Sequence, residues 1–350
     1  MIELGGMLPE ELEAYALSLG EKPFRARQLA SWVGRGAPID KMSNLPAALR
    51  ERMAREAVTN PVSIREVRIS KLDGTEKYLY LLEDGNLIEG VLMRYKHGAT
   101  LCLSTQVGCK MGCAFCASTL GGCVRNLTAG EMAGQVICAN ERLAAEGARV
   151  HNLVLMGSGE PLDNYDNVVK FLRVITHEKL SNLSARGISL STCGLVKQMR
   201  RFAEEGLPVT LSLSLHAPND AIRAKLMPIA RVHTVEETLA ALRYYIEKTG
   251  RRVIIEYTLV QGVNDDLSCA DELARRLRGM QCHVNLIALN AVKETALGAP
   301  TEAGVKRFLD RLTERNISAT RRREMGDDIE GACGQLRRAA LIDEQQEKQP

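Results

Sequence analysis

The sequence predicts an α/β protein whose largest part is a partial (β/α)6 TIM-like barrel. Two observations carry this prediction. Short apolar runs rich in β-branched residues alternate with helical stretches over residues 99–320, and the residues before them pass from helical to strand periodicity. Alternation of this kind produces a parallel sheet with right-handed crossovers. With 350 residues, 45% of them hydrophobic and 25% charged, the chain has room for such a core.

Residues 1–60 are predicted to form a small helical domain. Leu12, Ala16 and Leu19 make an apolar stripe between Pro9, which suits a first helical turn, and Gly20, which suits a helix end. Two further stripes consist of Phe24, Leu29 and Trp32, and of Leu45, Leu49 and Met53 after a Ser43-Asn44 cap. Arginines at positions 25, 27, 35, 50, 52 and 55 give the domain a basic surface that fits a phosphate backbone, although solvated helix faces have a similar composition.

Residues 61–98 are predicted to form a β-hairpin extension. Turn pairs at Asp73-Gly74 and Asp84-Gly85 separate short β-rich runs, among them YLYLL at 78–82. The extension leads directly into the first barrel strand.

The strands and helices of the barrel then follow in order. Strands are predicted at 100–107, 152–156, 188–192, 209–216, 253–260 and 283–289, and helices at 128–146, 163–177, 194–205, 234–249, 266–278 and 302–314. In barrels of parallel strands, the chemistry lies on the loops at the carboxyl ends of the strands. Residues 321–343 follow as a C-terminal loop and helix, and residues 344–350 are predicted to be a polar, disordered tail.

The composition argues against a membrane or secreted protein. No stretch reaches the roughly 18 consecutive apolar residues that a membrane span needs, and the acidic N-terminus lacks the features of a signal peptide. Ten cysteines in such a chain indicate a cytoplasmic protein, because thiols in a reducing compartment serve metal or redox chemistry. The net charge of +3 is only a weak indication of an acidic partner.

Three cysteines form the most specific motif. Cys109, Cys113 and Cys116 stand in a CxxxCxxC run after the first predicted barrel strand. Fe–S clusters are usually held by four cysteine thiolates, so three thiolates leave one iron open for a substrate. A zinc knuckle or three buried thiols are the alternatives. Zinc would need a fourth ligand nearby, and Cys123 follows only after seven residues.

Polar residues mark the ends of several predicted strands. Glu160, Ser191, Ser214, His216 and Asn290 each end a strand or follow one closely. Each of them alone is more often an ordinary turn or cap residue. Because the carboxyl ends of parallel strands meet at one mouth, the five together predict a polar cofactor pocket.

The motifs together resemble a known family. A CxxxCxxC with an aromatic residue before its last cysteine resembles the radical S-adenosylmethionine (SAM) enzymes. The wider sequence, up to about residue 341, is similar to the RlmN/Cfr family of RNA adenosine methyltransferases. The similar runs are FRARQ at 24–28, STQVGC at 104–109, GSGEPL at 157–162, SLHAPND at 214–220, GVND at 262–265 and GDDIEGACGQL at 326–336. The run LIALNA at 286–291 departs from the family, which has prolines where this chain has alanines, but Asn290 is retained.

The resemblance implies two cofactors and the residues that bind them. Cys109, Cys113 and Cys116 would hold a [4Fe-4S] cluster whose open iron chelates SAM. The residues that match the family's SAM-contacting positions are Gly159, Glu160, Ser191, Ser214, Leu215, His216 and Asn290.

The resemblance also implies a mechanism that uses two SAM molecules. Cys333 matches the cysteine that takes the methyl group from the first SAM. The second SAM is cleaved reductively at the cluster, which activates that methyl group for addition to adenine. Glu89 falls at the position of the proton acceptor. Cys102 matches the resolving cysteine, which attacks the sulfur of Cys333, frees the product and leaves a disulfide that must be reduced.

The implied reaction is methylation of adenosine carbon 2 in 23S rRNA, near the peptidyl-transferase centre, and in tRNA beside the anticodon. The alternative within the family is a Cfr-type enzyme that methylates carbon 8 and confers antibiotic resistance, but the runs AST at 117–119 and REMG at 323–326 are more similar to the carbon-2 group. Alternatives of another class are an iron–sulfur electron carrier and a zinc-containing RNA-binding module. The resemblance further implies an electron donor such as flavodoxin or ferredoxin, no membrane partner, and a monomer.

Overall fold

The computed structural model describes residues 1–289, 297–329 and 336. The predictions for Asn290, for Cys333 and for the tail at 344–350 fall outside these residues. In the described part, the helices are α1 (Pro9–Ser18), α2 (Pro23–Val33), α3 (Ala47–Glu56), α4 (Ala129–Ala144), α5 (Tyr165–Thr176), α6 (Val196–Ala203), α7 (Asp220–Leu226), α8 (Val235–Thr249), α9 (Leu267–Leu277) and α10 (Glu302–Glu314). The strands are β1 (Ile2–Glu3), β2 (Ala57–Val58), β3 (Val62–Ile69), β4 (Glu76–Leu82), β5 (Leu87–Tyr95), β6 (Gly98–Cys102), β7 (Gln106–Gly108), β8 (Cys123–Asn126), β9 (Val150–Leu155), β10 (Ile188–Thr192), β11 (Thr210–Ser214), β12 (Val253–Leu259), β13 (Cys282–Ala288) and β14 (Ala319–Arg321).

The N-terminal helices α1–α3 pack around an apolar core of their own. Leu12, Leu29 and Met53, one from each predicted stripe, are buried in it. The prediction was wrong for Phe24, which is 42% exposed because it lies on the outer side of α2, where the Arg25 guanidinium covers its ring at 4.8 Å.

The predicted Ser43-Asn44 cap of α3 was also wrong. The residue at the N-cap is Pro46, and no side chain caps the helix. The Oδ1 atom of Asn44 instead accepts a hydrogen bond from Nε1 of Trp32 at 2.5 Å, which ties α2 to the loop before α3. A polar pair before a helix therefore serves tertiary packing here.

The extension at β3–β5 is larger than a hairpin. Its three strands run antiparallel and continue through β6 into the parallel strands, so that one sheet has the order β14-β13-β12-β11-β10-β9-β6-β5-β4-β3. The predicted turns occur with φ of +70° at Gly74 and +83° at Gly85, a region that favours glycine.

The six predicted barrel strands correspond to β6 and β9–β13, and all of them pair in parallel. The short strand β14 adds a parallel neighbour to β13. Among the described strands, β3 and β14 stand at the two ends of the order, so the sheet forms a partial barrel and does not close. The helix α7 was not predicted; it lies between β11 and α8.

The first predicted strand, 100–107, is interrupted. The strand β6 ends at Cys102, and β7 pairs antiparallel with β8 instead. Between them the N–H of Ser104 donates to Oε1 of Gln135 at 2.9 Å, and its hydroxyl donates to the carbonyl of Glu89 at 2.7 Å. These side-chain bonds replace a continued ladder and turn the chain toward the cysteine motif.

Alternate residues of the parallel strands face two different environments. Leu190 and Leu213 join the helices in the main apolar core. On the other side of the sheet, which we call the inner face, the register places Ser214 beside Glu256 and Glu256 beside Asn285. The same alternation places Glu89, Cys102 and Ser191 on the inner face. No helix in the described part of the chain is both long and apolar enough to cross a membrane.

Candidate active site

The cysteine loop spans the residues between β7 and β8. Its base is closed by the N–H of Cys109, which donates to the carbonyl of Gly122 at 2.9 Å. Its middle is tied to the end of α7, because the N–H of Ala114 donates to the carbonyl of Leu226 at 2.8 Å. Cys109 is buried, and Cys113 and Cys116 are half-buried. The loop is therefore held over the carboxyl ends of the barrel strands.

The thiols of this loop lie in a poorly hydrated environment. Burial, with a smaller contribution from the neighbouring Cys116, raises the pKa of Cys109 and that of Cys113 to about 12 each. Because metal ligation needs thiolates, binding of iron here must release protons. The N–H of Met111 favours the thiolate of Cys109, which is the form that would bind iron.

The donor set fits a multi-iron group. Its three cysteine thiols are the ligand type that holds iron–sulfur clusters. A four-iron cluster places each thiolate on a different iron, so its ligands need not converge on one point. Beside the loop, Nη1 of Arg223 is buried without an acceptor among the described residues, which suits an anionic group.

Glu160 is fixed by the main chain. Its carboxylate accepts hydrogen bonds from the N–H of Cys193 at 2.7 Å and of Leu162 at 3.1 Å, while its own N–H donates to Oε1 of Gln106 at 2.9 Å. Burial raises the pKa of Glu160, and these N–H donors oppose the rise. The glycine before it is required, because Gly159 has φ of +114° and a Cβ there would lie 2.7 Å from the Gln106 nitrogen.

The ends of β10 and β11 add polar groups beside Glu160. The hydroxyls of Ser191 and Ser214 lie 3.3 Å apart on the inner face. After Ser214, the N–H groups of Leu215 and His216 both donate to the carbonyl of Glu256, at 3.1 and 3.3 Å. The strand therefore turns sharply at the rim and directs its last residues toward the pocket.

His216 connects this rim to the cysteine loop. Its Nδ1 atom accepts from the N–H of Thr258 at 2.9 Å, so the neutral ring carries its proton on Nε2. Burial lowers the pKa of His216 to about 3, and the positive charge of Arg223 lowers it as well. The ring of Phe115, inside the cysteine loop, meets the imidazole edge-on at 4.8 Å. The structure thus brings the strand-end residues and the cysteine loop together.

Cys102 and Glu89 lie on the inner face of β6 and β5. Cys102, 3% exposed, packs among Val91, Met93 and Met325. The Glu89 carboxylate forms a buried ion pair with Lys77 at 3.6 Å. Glu89 is also linked to the pocket through its carbonyl, which accepts a hydrogen bond from Ser104 Oγ. The same Oγ accepts a hydrogen bond at 3.0 Å from the N–H of Ser158, which belongs to the GSGEPL run.

The C-terminal segment is anchored on both sides of Cys333 in the sequence. The turn between β3 and β4 holds Asp328, whose carboxylate accepts from Ser70 Oγ at 2.6 Å and from the Lys71 N–H at 2.8 Å. Leu336, 1% exposed, packs against Leu79 and Leu87 on the inner face of β4 and β5. Residues on either side of the predicted methyl carrier therefore lie on the sheet that bears Glu89 and Cys102.

Sequence reasoning missed three residues of this region. Gln106 braces Glu160 and also donates to Asp163 at 2.8 Å. Glu256, buried in β12, accepts from Asn285 Nδ2 at 2.9 Å. Arg223 is fully buried on α7. A single carboxylate in the apolar strand run VIIEYTLV could have indicated Glu256, but no pattern marks the helix that carries Arg223.

Two family models match the chain. The model of the Radical SAM superfamily matches residues 103–274, and the model of the Ribosomal RNA large subunit methyltransferase N-terminal domain matches residues 2–59. The first covers the cysteine loop and most of the strand-end pocket, and the second covers the helices α1–α3.

Curated relatives are similar over almost their whole length. A protein of Alkaliphilus oremlandii named probable dual-specificity RNA methyltransferase RlmN is 49% identical, over 97% of this chain and 98% of its own. Proteins with the same name from Lachnoclostridium phytofermentans and Clostridioides difficile are 50% and 48% identical, over 97% and 96% of this chain and 95% and 98% of their own.

A solved structure has the same fold. The crystal structure of a radical SAM methyltransferase from Sphaerobacter thermophilus superposes with a TM-score of 0.93 at 43% identity, over 96% of this chain and 99% of that one. The chain is therefore an enzyme whose cofactors are a [4Fe-4S] cluster and SAM. It belongs to the RlmN family of radical SAM RNA methyltransferases.

Proposed function

We propose that this protein methylates carbon 2 of adenosine in 23S rRNA and in tRNA, through a methyl group carried on Cys333. The substrate range is supported by the relatives named dual-specificity RNA methyltransferases. The observation that carries the proposal is that the proposed functional groups share the inner face of one sheet. The strand-end pocket, Glu89 and Cys102 lie on this face, and residues on both sides of Cys333 pack against the same sheet.

The cysteine loop and the pocket have separate tasks in this proposal. Cys109, Cys113 and Cys116 hold the cluster, which with SAM supplies one-electron chemistry that ordinary side chains lack. The pocket residues orient the SAM molecule: Gly159, Glu160, Ser191, Ser214, Leu215, His216 and Asn290. The neutral imidazole of His216 offers an Nε2–H donor at every physiological pH, because its pKa of about 3 lies far below that range.

The chain's own groups carry the methyl transfer and its resolution. The Cys333 sulfur takes the methyl carbon and, after that carbon has bonded to adenine, holds the RNA covalently. Glu89 accepts the proton that leaves carbon 2. The Cys102 thiolate then attacks the sulfur of Cys333 and forms a Cys102–Cys333 disulfide. The sulfur–carbon bond breaks with its electron pair on the carbon, which takes up a proton to complete the methyl group, and the methylated base is released.

The remaining segments serve substrate and structure. We propose that residues 1–60 bind RNA, that 61–98 extend the sheet, that 99–320 form the catalytic barrel, that 321–343 present Cys333, and that 344–350 form a tail. Two arginines of the first segment stand over aromatic rings, Arg25 over the exposed ring of Phe24 at 4.8 Å and Arg35 over the half-buried ring of Trp32 at 5.6 Å, which suits contacts to phosphate and base. The enzyme would act as a cytoplasmic monomer with flavodoxin or ferredoxin as electron donor.

Variants of the RNA-binding segment test its role. Arg27→Ala and Arg35→Ala, both exposed, should weaken RNA binding and reduce the slope of log affinity against log salt by about one for each lost phosphate contact. The matched control is Arg307→Ala, an exposed arginine on α10. Equal affinities and salt slopes for all the variants would remove residues 1–60 from the RNA interface.

The reaction itself is tested by anaerobic reconstitution with iron and sulfide, followed by reductant, SAM and unmodified rRNA or tRNA. Mass spectrometry of the RNA should find 2-methyladenosine with the wild type and no methylated RNA with Cys333→Ala. Unchanged methylation in the variant would remove Cys333 as the methyl carrier. A product methylated only at carbon 8 would assign the chain to the other branch of the family.

A further inference from the structure

Arg223 is a fully buried arginine on α7 that touches both strand ends of the pocket. Its side chain is 0% exposed. Nε donates to the carbonyl of Leu215 at 3.2 Å, and Nη2 donates to the carbonyls of Cys193 at 2.6 Å and Ser214 at 3.2 Å. These bonds fix the guanidinium at the carboxyl ends of β10 and β11.

The positive charge of Arg223 has no ion-pair partner among the described residues; the carboxylate of Asp220, one turn earlier on α7, acts on it only from a greater distance. Its partners are three neutral carbonyls, Nη1 has no acceptor, and no carboxylate among residues 1–289, 297–329 and 336 lies within ion-pair distance. Burial of an unpaired charge is strongly unfavourable, and protein interiors normally pair or coordinate it. A buried guanidinium that keeps one unused donor therefore indicates an anionic partner.

The cysteine loop is the neighbour that would supply this anion. The helix that carries Arg223 ends at Leu226, whose carbonyl receives the N–H of Ala114 in the loop. Leu226 packs with Cys113 and Phe115 in one apolar cluster. Cys193, whose carbonyl accepts from Nη2 of Arg223, belongs to the same cluster.

We propose that Arg223 is a positioning residue that provides the buried positive charge for the anionic cluster held by Cys109, Cys113 and Cys116. The three thiolates together carry more negative charge than the four-iron core carries positive charge, and reduction adds one further negative charge. A nearby positive charge therefore shifts the reduction potential of the cluster. Arg223 thereby stabilises the reduced cluster more than the oxidised one. The inference rests on the proposed cluster ligands and adds to them a residue that makes reduction easier.

The test compares Arg223→Gln, which removes the charge but keeps an amide donor, with Arg223→Lys, which keeps the charge. The control is Arg251→Gln, because Arg251 lies two residues before β12, at the opposite end of the strands. Each full-length variant is reconstituted anaerobically. Iron and sulfide contents are measured, and the cluster is titrated by electron paramagnetic resonance without SAM or RNA.

For Arg223→Gln we expect a reduced-to-oxidised ratio at least tenfold lower than the wild type at the same potential, which is a midpoint about 59 mV more negative for a one-electron couple. Arg223→Lys should lie much closer to the wild type, and Arg251→Gln should match it. If Arg223→Gln retains no iron, the iron content becomes the readout. Full iron content in Arg223→Lys would then support the role of the charge, and an equal loss of iron in both variants would contradict it.

Two further results would overturn the inference. Equal midpoints in the Gln variant and the wild type would show that Arg223 does not act on the cluster. Equal midpoints together with weaker SAM binding to the Gln variant would assign its charge to the SAM carboxylate. The wild type serves as the separate check on the cysteines: if it assembles no four-iron cluster, the proposed ligands are wrong, independently of Arg223.

Discussion

The two ends of the inner face hold their functional groups in different ways. In the strand-end pocket, Glu160 and His216 receive hydrogen bonds from main-chain N–H groups of Cys193 and Thr258. At the other end, Glu89 faces the flexible side chain of Lys77, and Cys102 lies among apolar side chains that include methionines. Main-chain donors fix a bound cofactor in one orientation, whereas methionines adapt to a changing neighbour. The first end suits a resident cofactor and the second suits a thiol that changes partners.

The largest expected effect is the loss of the cluster, which should distinguish the three proposed ligands from the nearby Cys123. Cys113→Ala should abolish assembly of the four-iron cluster, because two thiolates remain for a group that needs three here. The measurement is iron and sulfide per chain after anaerobic reconstitution, together with the absorption spectrum. Cys123→Ala is the control, and we expect it to retain iron. Iron lost from Cys123→Ala and kept by Cys113→Ala would reverse the assignment of the ligands.

The next effect concerns the buried ion pair at the other end. Lys77→Met leaves the Glu89 carboxylate buried without this partner and should lower the free energy of unfolding by about 3–5 kcal/mol. The double variant Lys77→Met/Glu89→Leu should recover most of that loss, since it removes both charges. Chemical denaturation measures both. In the matched control, Lys306→Met breaks the exposed pair with Asp310 and should change stability by less than about 1 kcal/mol. A loss in Lys77→Met as small as in the control would contradict a buried pair.

A smaller effect is the pH dependence of folding stability that the buried, neutral ring of His216 should cause. The pKa of His216 is about 3 in the folded protein because of burial and Arg223, and about 6.5 in an unfolded chain. The unfolded state therefore binds a proton that the folded state does not, and stability should fall as pH decreases from 6.5 toward 3, by about 1.4 kcal/mol per pH unit from this residue. Above pH 6.5 the contribution is constant.

Denaturation curves between pH 4 and pH 8 measure this slope. In His216→Asn the part of the slope that belongs to the imidazole should disappear, while His97→Asn, an exposed position, should keep the slope of the wild type. An unchanged slope in His216→Asn would mean that the ring is not held neutral.

The smallest effect concerns the anchor of the C-terminal segment. Asp328→Asn should weaken the bonds from Ser70 and the Lys71 N–H and lower RNA methylation several-fold, with iron content and SAM binding unchanged. Asp73 lies near this anchor. Burial raises its pKa, but hydrogen bonds from the N–H groups of Thr75 and Gly326 outweigh burial and lower the pKa of Asp73 to about 2. Asp73 therefore stays ionised from pH 5 to pH 8, and the anchor should persist over this range. Loss of cluster or SAM binding in Asp328→Asn would contradict the separation of the two ends.

The sequence was most informative where one residue pattern determines one geometry. The parallel strands β9–β13 follow from apolar β-branched runs, and the glycine turns at 74 and 85 follow from their pairs. Position 24 could not be predicted, because a helical stripe does not tell which apolar residue faces the neighbouring helices. The strand breaks after Cys102 because the side chain of Gln135 accepts the N–H of Ser104. Gln135 lies 31 positions further along the chain, where no local pattern points to this contact.

In the site, the described strand ends at Glu160, Ser191, Ser214 and His216 lie on one rim because the strands are parallel. The sequence could not indicate how each group is held. The partner of Glu89 is a lysine on a neighbouring strand, and the charge beside Cys113 comes from Arg223, which lies far from the motif in the chain. Such contacts depend on the packing of several elements, which local patterns do not encode.

In the proposed mechanism, Cys102 resolves a covalent link between RNA and Cys333. The most direct measurement incubates reconstituted Cys102→Ala with reductant, SAM and unmodified RNA, and looks for a protein–RNA conjugate under denaturing conditions, with mass spectrometry of the linked peptide. We expect a conjugate at Cys333 in this variant, little or none in the wild type, and none in Cys102→Ala/Cys333→Ala. Repeated turnover by Cys102→Ala without a conjugate would contradict it.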